Sequence, residues 1–196
     1  DCVYDVENNE IYEHSCDFGF NYILTAEIEN HNDLSSLTFN KFIDTLCGGV
    51  KTKRKRLQEM CGVLISNIVF KGAVFFIGEH DTGKSTLARL LKHLVGENHV
   101  SSVSLEVIDR NFALSQMRNK RLNVAGEISR NVKASQFKIF KEITGGDSLF
   151  VDIKNKESQS IAFATKQLFL GNFLPDFPAD DDSFYDRFNM IYFDNS

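Results

Sequence analysis

The sequence predicts an α/β fold with a mostly parallel central sheet, preceded by a small α+β segment. Three observations predict it. From about residue 68 onward, short apolar runs of strand type alternate with helical patterns, the rhythm of parallel strands joined by crossover helices. The first of those strands, Val74-Phe75-Phe76-Ile77, leads into the glycine-containing loop Gly78-Glu79-His80-Asp81-Thr82-Gly83-Lys84-Ser85-Thr86 and then into a helix carrying Leu87, Leu90, Leu91 and Leu94. The first 67 residues show a different texture, with short strands, turns and two helices.

Taken in order, Val3-Tyr4 and Ile11-Tyr12 flank the polar Glu7-Asn8-Asn9 and predict a hairpin. A strand is expected over 22–25. Ser36 is placed to cap a helix bearing Leu37, Phe39, Phe42, Ile43 and Leu46, which Gly48-Gly49 ends. A second helix is expected over 52–65, with Leu57, Met60, Cys61 and Leu64 as its apolar stripe. It opens on Lys51, Lys53, Arg54, Lys55 and Arg56. That cluster reads as a solvated face, with a nucleic-acid or inter-subunit surface as the alternatives. Beyond it, strands are expected over 74–77, 102–105, 122–125, 168–170 and 190–193, and helices over 84–95, 112–117 and 132–143. The division is an N-terminal segment, 1–67, and an α/β core, 68–196.

Composition sets bounds. At 196 residues the chain can bury a sizeable core, and 42% hydrophobic with 25% charged residues is ordinary globular usage. A net charge of −5 gives no whole-molecule attraction to nucleic acid, so any such contact needs a local basic surface. Cys2, Cys16, Cys47 and Cys61 lack metal-ligand spacing and read as free or buried thiols. No stretch is long and apolar enough to span a membrane. The chain begins at Asp1 without Met, and we expect it to be an excised piece of a longer protein.

The loop after the first core strand carries the chemistry. Gly78, Gly83, Lys84 and Ser85 fill the spacing G-x-x-x-x-G-K-[ST], with a strand before and a helix after. Such a loop wraps backbone N–H groups and a helix N-terminus around nucleotide phosphates. Lys84 is expected on the β- and γ-phosphates of ATP, and the Ser85 hydroxyl on the Mg²⁺ that bridges them. Loop positions Glu79, His80, Asp81, Thr82 and Thr86 complete the expected nucleotide contacts. A partner carboxylate is expected at the C-terminal end of a neighbouring strand. Glu127, after Leu122-Asn123-Val124-Ala125-Gly126, fits that place, as a metal ligand, a water-polarising group or both. Asp109 is a weaker candidate. Asn172 closes the strand Lys166-Gln167-Leu168-Phe169-Leu170-Gly171 and reads either as a γ-phosphate or water contact or as a turn former. Apolar arms at 150–153 and 161–163 around Lys154-Asn155-Lys156-Glu157-Ser158 predict a second hairpin.

The order of these pieces, together with Lys141-Glu142-Ile143-Thr144-Gly145-Gly146-Asp147, Leu174-Pro175 and Asp186-Arg187-Phe188, resembles superfamily 3 helicases. The phage and plasmid primase-helicases, whose helicase part is shared with poxvirus primase-helicases, are the most similar group. The resemblance covers roughly 50–196 well. It implies an AAA+-like P-loop NTPase fold and ATP hydrolysis between subunits of a ring, usually a hexamer, that moves along DNA. Glu127 then matches the acidic second motif and Asn172 the polar third motif, while Arg187 matches an arginine reaching the neighbouring subunit's ATP. The hairpin tip, Lys154, Asn155 and Lys156, is implied to grip DNA phosphates. An upstream primase domain and a phage or mobile-element origin acting in a bacterial cytoplasm are also implied. The sequence departs from some relatives in having one carboxylate in the second motif and no aromatic at the hairpin tip. Two other readings stay open: an ATPase that loads or remodels proteins on DNA without unwinding, and a catalytically silent ring-forming module.

Overall fold

A strand that is apolar up to a final glycine must be covered on both faces, and Ala73–Gly78 is buried at all six positions. It is the third strand of a chain whose structure is a computed structural model describing residues 2–5, 7–8, 10–20, 22–25, 36–126, 128–176 and 185–194. The elements are β1 (Cys2–Asp5), β2 (Glu10–Glu13), α1 (Leu37–Leu46), α2 (Lys51–Ile65), β3 (Ala73–Gly78), α3 (Lys84–Val95), β4 (Val100–Ser101), β5 (Leu122–Ala125), α4 (Ala134–Gly145), β6 (Ser148–Val151), β7 (Gln159–Ala162), β8 (Lys166–Gly171) and β9 (Phe188–Phe193). Five strands form one sheet in the order β4-β5-β8-β3-β9, and every pair in it is parallel.

The alternation of β3 sorts its side chains onto two cores. Val74 and Phe76 face Ile43 and Leu46 of α1, Leu57 and Leu64 of α2, and Leu87 and Leu91 of α3. Ala73, Phe75 and Ile77 face Phe137 and Phe140 of α4. Phe75 lies nearly parallel to Phe188, with centroids 4.1 Å apart, and 5.3 Å from Phe169. Each such buried ring contributes about 2–3 kcal/mol of hydrophobic burial. The two helices ahead of β3 therefore share one core with the sheet.

Most elements lie where the sequence places them, and the departures have physical causes. No strand forms over the expected 102–105; β4 lies just before it, at Val100–Ser101, and beyond Ser101 the buried Asn123 side chain takes over the ladder. Its Oδ1 accepts from Val103 N at 2.8 Å and its Nδ2 donates to Val103 O at 2.9 Å. The expected helix over 112–117 shrinks to a 3-10 turn, Leu114–Met117, and Phe112 just before it sits at φ 65°, outside any right-handed helix. Residues 22–25 form no strand; Thr25 N instead donates to Leu94 O at 2.9 Å, closing the C-terminal end of α3. The second hairpin forms, but its arms sit one or two residues earlier, at β6 and β7. Phe163, just past its base, and Val151, at the loop end of β6, pack with Val103, Met117 and Ile143.

All four cysteines are free thiols. Burial raises the Cys47 thiol and pushes Cys61 up to about 12. Among the described residues, no helix is long and apolar enough to cross a membrane.

Gly78 marks where β3 and β9 meet the loop. It holds φ 153°, and a Cβ there would lie 1.9 Å from the Phe193 carbonyl oxygen. We expect Gly78→Ala to cost at least about 1–3 kcal/mol from backbone strain alone, plus the displacement of β9. A thermal or urea melt checks this, and an unchanged midpoint would contradict it.

Candidate active site

The loop after β3 turns at the C-terminal end of the sheet, where parallel α/β sheets open a crevice. Gly83 takes φ 87° as the N-cap of α3, and no side chain caps that helix. The first-turn N–H groups of α3 thus receive no acceptor from an N-cap side chain and carry the positive end of the helix dipole. A Cβ at Gly83 would lie 2.7 Å from Leu46 Cδ2, so α1 buttresses the loop from behind.

Lys84 is the centre of the loop and is buried. Its Nζ donates to Gly78 O at 2.7 Å, to Thr82 Oγ1 at 2.9 Å and to the Glu79 carbonyl oxygen. All three acceptors are uncharged, and none of the ion pairs among the described residues involves Lys84. Burial lowers the Lys84 pKa below the ordinary lysine range, while Asp81 and Glu79 pull it the other way. A desolvated cation solvated by neutral oxygens, beside a helix terminus without a side-chain cap, is a donor set that an anion satisfies.

The loop forms one wall of a cleft of about 920 Å³. His80 through Thr86 line it on one side, Gly126, Ile128 and Ser129 on a second, and Leu170 through Phe173 on a third. Ser85 and Thr86 are exposed in this cleft. Asn172 Nδ2 lies 3.1 Å from His80 Nε2, which ties the end of β8 to the loop after β3. The sequence marks His80 only as one of the loop's expected nucleotide contacts. Its contact with Asn172 exists only because β8 lies beside β3 in the sheet, and no local pattern announces that. Glu127 lies outside the described residues; its neighbours Gly126 and Ile128 both line the cleft. The weaker carboxylate, Asp109, is engaged elsewhere. Its Oδ2 accepts from Ser135 Oγ at 2.7 Å and its Oδ1 from Gln136 Nε2 at 3.3 Å, at the start of α4. Those hydrogen bonds hold its carboxyl below the usual carboxylate range.

The other two sets of expected residues are not in the cleft. Arg187 precedes β9, and its carbonyl accepts from Ala73 N at 2.8 Å. That places it at the N-terminal end of the sheet, the length of β3 away from the loop, or roughly 17 Å at the usual strand rise. Its guanidinium lies beside Gly145, at the end of α4. Lys154, Asn155 and Lys156 are all exposed at the tip of the β6–β7 hairpin. Asn155 takes φ 60° there, and Lys156 N donates to Ile153 O at 3.0 Å, closing the turn.

A five-stranded parallel sheet with a glycine–lysine loop between β3, which lies between β8 and β9, and the next helix defines an α/β P-loop core. The chain belongs to DUF5906, a family of unknown function, whose model matches residues 76–187. No curated protein matches the chain. Among solved structures, the A-form apo C-terminal region of NrS-1 aligns with a TM-score of 0.69 at 19% identity, over 99% of this chain and 44% of that one. The apo structure of the NrS-1 C-terminal region 305–718 gives 0.69 at 18%, over 99% and 45%. A ligand-bound JCV helicase gives 0.51 at 19%, over 83% and 46%. These likenesses establish the fold, and the chain spans less than half of each of those chains.

Proposed function

We propose that this chain is the ATP-hydrolysing core of a DNA helicase of the phage or mobile-element primase-helicase type, working as a ring, with a hexamer as the expected size. The observation that carries the reading is the cleft itself. A buried lysine with no ion-pair partner among the described residues, an α3 N-terminus without a side-chain cap and Asn172 all meet at the C-terminal end of one parallel sheet.

The residues fit Mg²⁺·ATP. The loop from Gly78 to Thr86 would cradle the phosphates, with Lys84 exchanging its neutral oxygens for phosphate oxygens. Ser85 offers a hydroxyl suited to a hard cation. Mg²⁺, when bound, would supply charge neutralisation of the phosphates. Asn172 and His80 stand where they can position a γ-phosphate or a water, and Glu127 is the proposed acidic partner. Arg187, at the far end of the sheet from its own loop, would serve the cleft of the next subunit. Lys154, Asn155 and Lys156 would hold DNA phosphates. Contacts of that kind are sequence-independent and weaken with salt. A net charge of −5 does not oppose this, since a ring repeats the two tip lysines around one channel.

The test is the ATPase rate against protein concentration, with and without single-stranded DNA. A rate rising cooperatively with concentration and with DNA is expected. A flat, negligible rate despite measurable ATP binding, repeated in a longer chain, would overturn the motor reading. DNA-stimulated turnover without strand separation would favour a loading or remodelling ATPase. Lys154→Ala with Lys156→Ala is expected to weaken DNA binding and to flatten its salt dependence by about 0.7 in log–log slope per lost phosphate contact. An unchanged slope would remove the hairpin from the DNA path.

A further inference from the structure

The N-terminal hairpin leaves apolar and aromatic side chains in solvent. All four residues of β2 are exposed, and a two-stranded hairpin alone is marginally stable in water. Beside it runs an exposed aromatic row. Tyr12 lies 6.0 Å from Phe18, Phe18 stacks at 6.2 Å on Phe20, and Phe20 lies 6.5 Å from Tyr22. Tyr12, Phe18 and Phe20 each keep 40–42% of their surface in solvent, and Ile11 keeps 45%. The rim is acidic: Glu7, Glu10, Glu13 and Asp17 are exposed, and no Lys or Arg occurs in the chain before Lys41. An apolar row with such a rim repels nucleic acid and suits an apolar partner surface with a basic rim.

The same chain carries that surface. Leu37, Phe39 and Val50 on and between α1 and α2 keep 66%, 45% and 51% of their surface exposed. Lys41, Lys51, Lys55 and Arg56 stand exposed on the same two helices. The two surfaces lie at opposite ends of the sheet. The end of α1 and the start of α2 sit at the C-terminal end of the strands, where Leu46 backs Gly83 and Lys53 Nζ reaches Asp194 Oδ1 at 3.1 Å. The hairpin segment is tied to the N-terminal end, where Tyr22 packs on His99 and under Arg121 and Thr25 holds the end of α3.

We propose that the acidic aromatic hairpin of one copy docks on the basic α1–α2 face of the next, a head-to-tail contact between two different patches. Such a contact repeats from copy to copy and closes into a ring when its rotation allows. It gives the ring reading its contact surface, but the two patches alone carry it.

The test is self-association of the full chain without nucleotide, followed by light scattering or sedimentation over protein concentration at low and high salt. Concentration-dependent association that weakens with salt is expected. Glu10→Lys with Glu13→Lys should weaken it at least about tenfold, as should Lys55→Glu with Arg56→Glu. Each variant alone would associate poorly, and an equimolar mixture of the two should regain association, because the reversed hairpin then meets the reversed helix face. Wild-type-like association of either variant, or a mixture no better than its parts, would overturn the proposal. So would a chain that stays monomeric at all concentrations and salts. ATP binding measured on the same samples separates this outcome from failure of the cleft.

Discussion

Lys84→Ala is expected to remove nucleotide binding. The ammonium is the one side-chain cation at the centre of the loop, and charge-assisted hydrogen bonds contribute about 1.5–3 kcal/mol each. Loss of two such bonds to phosphate lowers affinity on the order of a hundredfold or more. Titration with a fluorescent ATP analogue checks it, and unchanged affinity would sink the site assignment. The substitution also strips a donor from Gly78 O, Glu79 O and Thr82 Oγ1. Lys84→Met, which keeps most of the stem, separates lost charge from lost packing, and a thermal melt of both variants reports any structural cost. The protonation sign is fixed as well. Burial lowers the Lys84 pKa in the free protein, and an arriving phosphate raises it. Between those two values binding takes up a proton, so affinity falls as pH rises through that alkaline window.

Arg187→Ala is expected to leave ATP binding intact and to cut turnover of the assembled protein by about 10³–10⁵, the range seen for arginines supplied across an interface. Its position at the N-terminal end of β9, away from its own loop, is the reason to expect action on a neighbour. Mixing is the sharper measurement. Lys84→Ala retains a working arginine and Arg187→Ala retains a working cleft, so mixed assemblies should recover part of the lost turnover. Unchanged turnover in Arg187→Ala, or no recovery on mixing, would exclude the role in trans.

Much of this was legible in residue order. The strand–loop–helix around Gly78, Gly83, Lys84 and Ser85 is a local pattern, and β3 and α3 fall on it. Helix α1 was readable from Ser36, whose Oγ accepts from Phe39 N at 3.4 Å. β5 and β8 were readable as apolar runs with polar ends. What failed to show were substitutions of one bonding partner for another. Nothing local says that Asn123 will bind the backbone of Val103 in place of a strand, because the two are brought together only by the pairing of β4 with β5.

The sequence by itself determined the fold class, the phosphate-type loop and the elements that carry it, since periodicity, glycine placement and capping act over a few residues. Tertiary structure alone decided which distant residues became neighbours. It set His80 against Asn172 by laying β8 beside β3, and it pressed α1 onto Gly83. It also sent Arg187 and the acidic hairpin to the end of the sheet opposite the cleft. Those relations follow from strand order, and strand order is settled by the burial of both sheet faces over the whole chain.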